Sequence, residues 1–390
     1  MESIRSHQLE LLQHIEKVWG KTLNPSLRQA FLNTPRHLFT PRYTHPMTQQ
    51  WIEVDPLQVE QHLPILYADR PLGIYKPADS SFVATISQPL LVLQMLDLLD
   101  IQSGHTVFEI GTGSGWNAAL MAQLTKTQGH VYSTEIFPDL AHSSQQALQR
   151  VGGQSVTILA ADGSLGYEPG APFDRIIFTA GSYDIPLAIH RQLKENGLLL
   201  AVLKLAGGGD DLVLFKKQQG VLLSQYASAV QFVPMLGAYQ SEWRDGIDLS
   251  VFLAHKQLAS APVEQVSYWW GSRSSRNLMP QTEGVRSFLQ LSQPGYRVFT
   301  DLNSATPFYF GLYDEVSQSL VIAQDDSLIS YGGLEAKTKL LDGLSQWIRI
   351  GMPSSLNLPL EIYPKTKPLP VNVSGWVLER EDSVFVWQAN

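Results

Sequence analysis

The sequence predicts an α/β protein whose central part is a parallel sheet with helices on both faces. Between Pro89 and Leu205, apolar segments of strand length alternate with amphipathic segments of helix length. Such alternation is typical of βαβ units. One strand turns directly into a helix through Gly111, Gly113 and Gly115, and closely spaced glycines are what a tight turn of this kind requires. We therefore expect a doubly wound central domain with further elements on either side.

The first 80 residues are predicted to form a helical and loop-rich segment. Apolar residues at helical spacing indicate a first amphipathic helix: Leu9, Leu12, Ile15 and Trp19. Asn24 followed by Pro25 has the residue types of an N-cap and a first helical turn, so a second helix should run from there toward Thr34. Prolines between about Pro35 and Ser80 break up any longer element.

Residues 81–237 are predicted to form the central domain. Its first helix begins at Pro89 and ends near Asp100, with a buried stripe of Leu90, Leu93, Leu96 and Leu99. The predicted strands are Thr106–Ile110, His130–Glu135, Val156–Ala160, Phe173–Thr179 and Leu198–Leu205. The predicted connecting helices run through Leu124, through Val151 and over Ile185–Glu195. Two short strands then end near Met235.

Residues 238–390 have a different composition, rich in aromatic residues, and predict a separate α+β domain. The predicted strands are the alternating runs Arg297–Leu302, Phe308–Tyr313, Ser319–Ile322 and Val384–Trp387, and the predicted helix is Leu334–Ile348. For most of the tryptophans we expect core packing rather than substrate contact: Trp269, Trp270, Trp347, Trp376 and Trp387.

Composition limits the classes of function. The chain has 390 residues, 44% hydrophobic and 16% charged, as in globular proteins. A net charge of -8 disfavours nucleic acid as a partner, and the apolar runs are too short for a membrane span. There is no cysteine, and the histidines lack metal-ligand spacing, so we expect no metal. The start also lacks the apolar segment of a signal peptide, and we expect a cytoplasmic protein.

The glycine loop favours one class of cofactor over another. Its spacing is Gly-X-Gly-X-Gly, whereas the dinucleotide fingerprint is Gly-X-Gly-X-X-Gly, and Trp116 stands where the last glycine of that fingerprint would pack. The shorter pattern, preceded by Glu109, suits an amino acid moiety with a sulfonium. We therefore predict S-adenosylmethionine as cofactor; a nicotinamide-dependent dehydrogenase is the disfavoured alternative.

Other polar residues lie where this site is expected. Glu135 ends the next strand, about twenty residues past the loop, where an acid can accept hydrogen bonds from ribose hydroxyls. Asp162-Gly163 follows the third strand, either near an adenine amino group or as an ordinary turn. Thr85 and Ser87 stand at the entrance to the helix at Pro89, where they could hold an acceptor carboxylate or simply cap that helix.

In combination these residues resemble the protein-L-isoaspartate O-methyltransferase family, and the resemblance spans about Thr34 to Leu236. The motifs that carry it occur in order: Thr34-Pro35-Arg36-His37-Leu38-Phe39, Tyr67-Ala68-Asp69, Ala84-Thr85-Ile86-Ser87-Gln88-Pro89, Glu109 to Asn117, Glu135, Asp162-Gly163, Ala171-Pro172-Phe173-Asp174, Gln192-Leu193-Lys194 and Phe232-Val233-Pro234-Met235. Together they form a far more specific signal than any one of them.

The resemblance implies an S-adenosylmethionine-dependent methyltransferase with a Rossmann-like domain that acts on a peptide or protein carboxylate. It gives Ser87 the active-site role. The implied cofactor-binding residues are Thr85, Ile86, Ser87, Glu109, Gly111, Thr112, Gly113, Gly115, Asn117, Glu135, Ile136, Asp162 and Gly163. A carboxylate is already ionised at neutral pH, so methyl transfer needs placement rather than a general base.

Two departures from the family pattern predict a substrate that differs from that of the ordinary repair enzymes. Ala180-Gly181-Ser182 and Leu203-Lys204-Leu205 replace proline-containing segments that are common in the family, and about 150 residues follow the usual end. The extended form resembles methyltransferases that act on ribosomally made, modified peptides. Our leading prediction is therefore that the substrate is a peptide of this kind. General isoaspartate repair and a noncatalytic cofactor-binding adaptor are the alternatives.

Overall fold

The computed structural model describes residues 2–77, 83–153, 155–205, 210–240, 247–268, 279–300, 308–324, 327–352, 355–372 and 375–388. The chain folds as two compact units. The first comprises Met1–Val202, Leu214–Gly220 and Phe232–Gln240. The second comprises Leu203–Val213, Val221–Gln231 and Ser241–Asn390.

The N-terminal part of the first unit contains two helices and several short elements. In order they are α1 (Glu2–Trp19), α2 (Pro25–Asn33), β1 (Arg42–Thr44), β2 (Trp51–Glu53), α3 (Leu63–Leu66), β3 (Leu72–Tyr75) and β4 (Ala84–Ile86). β1 pairs with β2, and β3 with β4, both antiparallel. The predicted cap of α2 is confirmed, because the Leu27 N–H donates to Asn24 Oδ1 at 2.8 Å.

The remainder of the first unit is built on the predicted sheet. Its elements are α4 (Pro89–Leu99), β5 (Thr106–Ile110), α5 (Trp116–Thr125), β6 (His130–Glu135), α6 (Pro138–Arg150), β7 (Val156–Ala160), β8 (Phe173–Ser182), α7 (Leu187–Gln192), β9 (Leu193–Lys204) and β10 (Asp210–Gln218), although Leu203–Val213 belongs to the second unit. The strand order is β7-β6-β5-β8-β9-β10. β5 runs parallel to β6 and β8, and β6 to β7. Their carboxyl ends therefore meet at one edge, where an α/β protein binds its ligand.

The predicted helix Ile185–Glu195 is wrong at its end. The helix ends at Gln192, and β9 begins at Leu193. Lys194 forms an ion pair with Asp174 at 2.8 Å, while the Glu195 carboxylate accepts hydrogen bonds from the N–H groups of Gln219 and Gly220. These contacts, distant in sequence, hold the segment in the sheet and override its helical pattern. The two strands that follow are also longer than predicted.

The second unit has its own sheets and cores. Its elements are β11 (Val221–Val230), β12 (Ile247–Asp248), α8 (Leu249–His255), β13 (Glu264–Ser267), α9 (Met279–Ser292), β14 (Tyr296–Thr300), β15 (Phe308–Asp314), β16 (Ser319–Gln324), β17 (Ser327–Tyr331), α10 (Glu335–Arg349), β18 (Leu360–Pro364), β19 (Gly375–Glu379) and β20 (Ser383–Gln388). One sheet has the order β12-β14-β15-β16-β17-β13, and β11, β18, β20 and β19 pair in that order.

The tryptophans of the second unit pack as expected where they are described. Trp347 belongs to the core beneath α9 and α10, and Trp376 packs against the same core. Trp387 is 1% exposed. Trp269 and Trp270 lie outside the described residues. In the part of the chain that the structure describes, no helix is both long and apolar enough to cross a membrane.

Candidate active site

The glycine loop turns between β5 and α5. Gly111, Gly113 and Gly115 have φ values of 99°, 55° and 83°, a region that side chains strongly disfavour. A Cβ atom at Gly111 would also lie only 2.5 Å from Thr179 Oγ1. The N–H groups of Gly111 and Thr112 both donate to the Thr134 carbonyl, at 2.9 Å. The loop is thus fixed against β6, and any other residue at Gly111 would distort it.

Glu109 lies on β5, just before the glycine loop, and supports the loop through hydrogen bonds to its neighbours. Its side chain is fully buried, and its two oxygens accept hydrogen bonds from Asn117 Nδ2 and Ser133 Oγ, both at 2.6 Å. Burial raises the pKa of Glu109 to about 7. The prediction that Glu109 contacts the cofactor stays a prediction; in this structure its side chain is enclosed by the fold. Through its hydrogen bond it holds Asn117 near the start of α5.

Glu135 lies at the carboxyl end of β6, as predicted. Its Oε2 accepts a hydrogen bond from the Gly113 N–H at 2.9 Å, and its Oε1 accepts one from the Phe137 N–H at 3.2 Å. Burial raises the pKa of this carboxyl group, and these backbone donors oppose the rise. A carboxylate can accept about four hydrogen bonds, so capacity remains for ribose hydroxyls.

Replacing Glu135 with Ala should weaken binding of S-adenosylhomocysteine by about 1.5 to 3 kcal/mol, the range of a charge-assisted hydrogen bond. Titration calorimetry measures this loss. Glu135→Gln should bind S-adenosylhomocysteine with an affinity between those of the wild type and Glu135→Ala. Its single amide oxygen can accept from only one of the Gly113 and Phe137 N–H groups. An unchanged dissociation constant in Glu135→Ala would remove Glu135 from the cofactor site.

Asp162 connects the third strand end to a segment from later in the chain. Its Oδ1 accepts hydrogen bonds from the Ser164 N–H and hydroxyl, at 2.9 and 2.6 Å. Its Oδ2 accepts one from the Ala238 N–H at 2.7 Å. The same segment bridges to Gly181, whose N–H donates to the Val233 carbonyl at 2.8 Å. Asp162 is thus both a turn residue and the anchor of this return segment.

The residues at this edge fit the predicted cofactor. Asn117 Oδ1 is buried and accepts no hydrogen bond from the described residues; a buried acceptor of this kind requires a donor. An amino group of an amino acid moiety is one such donor. The positive-φ loop and the Glu135 carboxylate supply the other features that a nucleoside with an amino acid moiety requires.

The Thr85-Ile86-Ser87 segment lies against the glycine loop. The Thr85 carbonyl oxygen is 3.4 Å from where a Cβ atom of Gly113 would stand. Ile86 is 2% exposed, so its side chain belongs to the core, while Thr85 and Ser87 are half-buried. The predicted donor and acceptor sides of the site are thus adjacent.

Ser87 and Thr85 do not cap α4, so that alternative is wrong. Gln88 is the N-cap residue, and its side chain makes no capping hydrogen bond. Asp69 takes this part instead: its Oδ1 accepts from the Leu90 N–H at 2.8 Å, and its Oδ2 accepts from Gln88 Nε2 at 2.9 Å. A cap twenty-one residues away from the helix cannot be recognised from local sequence.

Replacing Asp69 with Ala should lower the free energy of unfolding by about 1 kcal/mol, the usual cost of a lost cap. Chemical denaturation of the full chain measures it. Ser87→Ala is the matched control and should leave stability within about 0.5 kcal/mol, because the lost hydroxyl does not cap the helix. A larger loss in Ser87→Ala than in Asp69→Ala would reinstate the serine as a capping residue.

Sequence reasoning missed several residues that support the site. Ser133 and Thr134 lie on β6 and bond Glu109, through its carboxylate and its carbonyl respectively. Thr179 lies on β8, and its hydroxyl donates to the Ile110 carbonyl at 3.0 Å. Arg36 bonds the Ser87 carbonyl at 3.0 Å. The sequence indicated Arg36 only as one residue of a family motif. No local pattern indicated a role for Ser133, Thr134 or Thr179.

Residues 7–240 match the family model described as protein-L-isoaspartate(D-aspartate) O-methyltransferase. The chain belongs to this family. Its members are S-adenosylmethionine-dependent carboxyl O-methyltransferases, so the predicted enzyme class, cofactor and Rossmann-like fold are confirmed. The match ends at residue 240, before most of the second unit.

Individual relatives agree with the family assignment. The protein-L-isoaspartate O-methyltransferase of Methanosarcina mazei is 34% identical over 226 residues, which are 58% of this chain and 82% of that protein. That of Pyrococcus horikoshii is 34% identical over 230 residues, or 59% and 92%. A solved protein-L-isoaspartate O-methyltransferase structure aligns with 91% of this chain and 96% of its own at 22% identity, with a TM-score of 0.54. That similarity concerns the fold alone.

Proposed function

We propose that this chain methylates the side-chain carboxylate of an aspartyl residue, or the free carboxylate of an isoaspartyl residue, in a peptide. The observation that carries the proposal is the closeness of the Thr85 carbonyl oxygen to Gly113, 3.4 Å from where a Cβ atom would stand, which places the Ser87 segment beside the glycine loop. A methyl donor held by that loop and a carboxylate held by Ser87 would be neighbours. Such placement is the main contribution that a protein makes to a two-reactant step.

Some residues of the site would bind the cofactor, and Ser87 would orient the acceptor carboxylate. When bound, S-adenosylmethionine supplies a methyl carbon to which a carboxylate oxygen can bond while sulfur keeps the electron pair. Glu135 and Asn117 would hold it beside the glycine loop, and Ser87 would donate a hydrogen bond that orients the acceptor. An aspartyl carboxylate is ionised at neutral pH, so no residue need act as a base.

The carboxylate assignment is tested with two synthetic peptides of one sequence, carrying either Asp or L-isoaspartate at one position. Each is incubated with the full chain and cofactor labelled in the methyl group. We expect a base-labile, labelled methyl ester in at least one peptide, located by mass spectrometry. Cofactor binding without labelling of either peptide would support the noncatalytic adaptor instead.

For the acceptor itself, we propose a defined residue of a ribosomally made, modified peptide. The second unit supports this proposal, since it has hydrophobic cores of its own, and the groups proposed for methyl transfer all lie in the first unit. A folded unit without a part in the chemistry can serve recognition. General isoaspartate repair is the second candidate, favoured by the relatives at 34% identity, which are protein-L-isoaspartate O-methyltransferases.

These two candidates make opposite predictions about sequence dependence. Linear isoaspartyl peptides of unrelated sequence are compared with a macrocyclic, ester-linked peptide that contains one free aspartate. A dedicated enzyme should have a kcat/KM at least about 100-fold higher for the constrained peptide, which requires only about 3 kcal/mol of selective contacts. Uniform turnover of the linear isoaspartyl peptides would favour repair.

A further inference from the structure

A buried arginine touches both sides of the candidate site. Arg36 follows α2 in a short 3-10 helix, Arg36–Phe39, and is only 1% exposed. Its guanidinium donates hydrogen bonds to five backbone carbonyls, those of Leu66 (2.9 Å), Ala68 (3.3 Å), Arg70 (3.0 Å), Ile86 (3.4 Å) and Ser87 (3.0 Å). One side chain thus connects the 66–70 loop to the segment that carries the proposed active-site serine.

The two contacts to the serine segment come from one atom. Arg36 Nη2 donates to the carbonyls of both Ile86 and Ser87. Two consecutive carbonyls directed at one donor fix the peptide planes on both sides of the Ser87 Cα. Because the Cα–Cβ direction follows from those planes, the position of the Ser87 hydroxyl depends on Arg36.

The other side of Arg36 lies on the helix that follows the glycine loop. Its guanidinium carbon is 5.5 Å from the ring centre of Trp116, within cation–π range. Trp116 is the first residue of α5 and is itself fixed by a hydrogen bond from its Nε1 to the Thr34 carbonyl at 3.0 Å. Arg36 therefore contacts the elements on which both reactants would be held.

The charge of Arg36 is buried at a cost that an apolar residue would avoid. Desolvation lowers the pKa of Arg36 to about 9, so the side chain remains charged at neutral pH. An apolar residue of the same volume could fill this space, but it could not direct five carbonyls at one point. The guanidinium fork has that geometry built in, whereas a lysine ammonium has not.

We propose that Arg36 is a positioning residue for methyl transfer, acting through the backbone of Ser87. The proposal rests on the proposed function, in which Ser87 orients the acceptor carboxylate. Arg36 itself touches neither reactant. Arg36 fixes the distance and the direction from the serine hydroxyl to the glycine loop.

The first test compares Arg36→Lys with Arg175→Lys. Arg175 also donates to backbone carbonyls, but at the other end of α4: those of Leu99 at 2.6 Å and Asp100 at 3.0 Å. With the better of the two acceptor peptides, Arg36→Lys should lower kcat about 10- to 100-fold. The dissociation constant of S-adenosylhomocysteine should change less than about threefold. Arg175→Lys should retain kcat, whatever its stability. Equal kcat losses per folded molecule would overturn the proposal.

The second test asks whether the effect passes through Ser87. In the Ser87→Ala background, Arg36→Lys should cause little further loss of kcat, because the group that it positions is gone. Fully additive losses would show that Arg36 acts by another route and would sink the proposal.

A third measurement does not depend on activity. Hydrogen–deuterium exchange of residues 83–90 should be faster in Arg36→Lys and unchanged in Arg175→Lys. Unchanged exchange of residues 83–90 in Arg36→Lys would refute the positioning role, even if the wild-type chain methylates nothing. Failure of the proposed function would instead appear as an inactive wild type with the expected exchange pattern.

Discussion

Replacing Ser87 with Ala should reduce kcat for methyl transfer about 100-fold, the scale of losing one oriented donor in a site, while S-adenosylhomocysteine still binds nearly as in the wild type. The hydroxyl is not needed for the fold, since Asp69 and not Ser87 caps α4. It is not needed as a nucleophile either, because the acceptor carboxylate attacks directly. What the alanine variant lacks is the hydrogen bond that orients that carboxylate.

Steady-state kinetics with the labelled cofactor measures this loss, and calorimetry measures the affinity for S-adenosylhomocysteine. Ser143→Ala is the matched control, since it removes an exposed hydroxyl from α6 that donates only to the Asp139 carbonyl. It should retain full activity. If Ser87→Ala also retains kcat, the acceptor must be oriented by another group.

The sheet and the glycine loop could be predicted from sequence because both depend on local signals. Strands β5, β6 and β7 have the bounds that their apolar runs indicate. The loop follows from three glycines whose positive φ only glycine adopts readily. Glu135 could be placed because the carboxyl ends of parallel strands share one edge, so chain position alone fixes its location.

The supporting residues could not be predicted, because their roles depend on contacts distant in sequence. Arg36 meets Ser87 across fifty-one residues, and Asp69 caps α4 from twenty-one residues away. Nothing beside either residue indicates its partner. The supporting contacts of Glu109 could not be predicted for a related reason: its hydrogen-bond partners Asn117 and Ser133 lie on other elements, and its side chain is buried in the fold.

That burial leads to the prediction with the largest effect on stability. Glu109 has a pKa of about 7 in the folded chain, raised by desolvation from the ordinary 4.5. Between these values the folded state holds a proton that the unfolded state has released. The stabilising contribution of Glu109 is therefore complete below about pH 4.5 and is lost as pH rises through about 7, which amounts to about 3 kcal/mol.

Glu109→Gln should remove this dependence, since a glutamine can still bond Asn117 and Ser133 but does not titrate. Relative to the wild type, the variant should gain about 3 kcal/mol between about pH 4.5 and pH 8, measured by urea unfolding of the full chain. Glu53→Gln, at an exposed position on β2, controls for the loss of one charge. A stability difference independent of pH would mean that the pKa of Glu109 is the same in the folded and the unfolded chain. The Asn117 and Ser133 hydrogen bonds would then balance desolvation, and Glu109 would carry a charge in the fold above about pH 4.5.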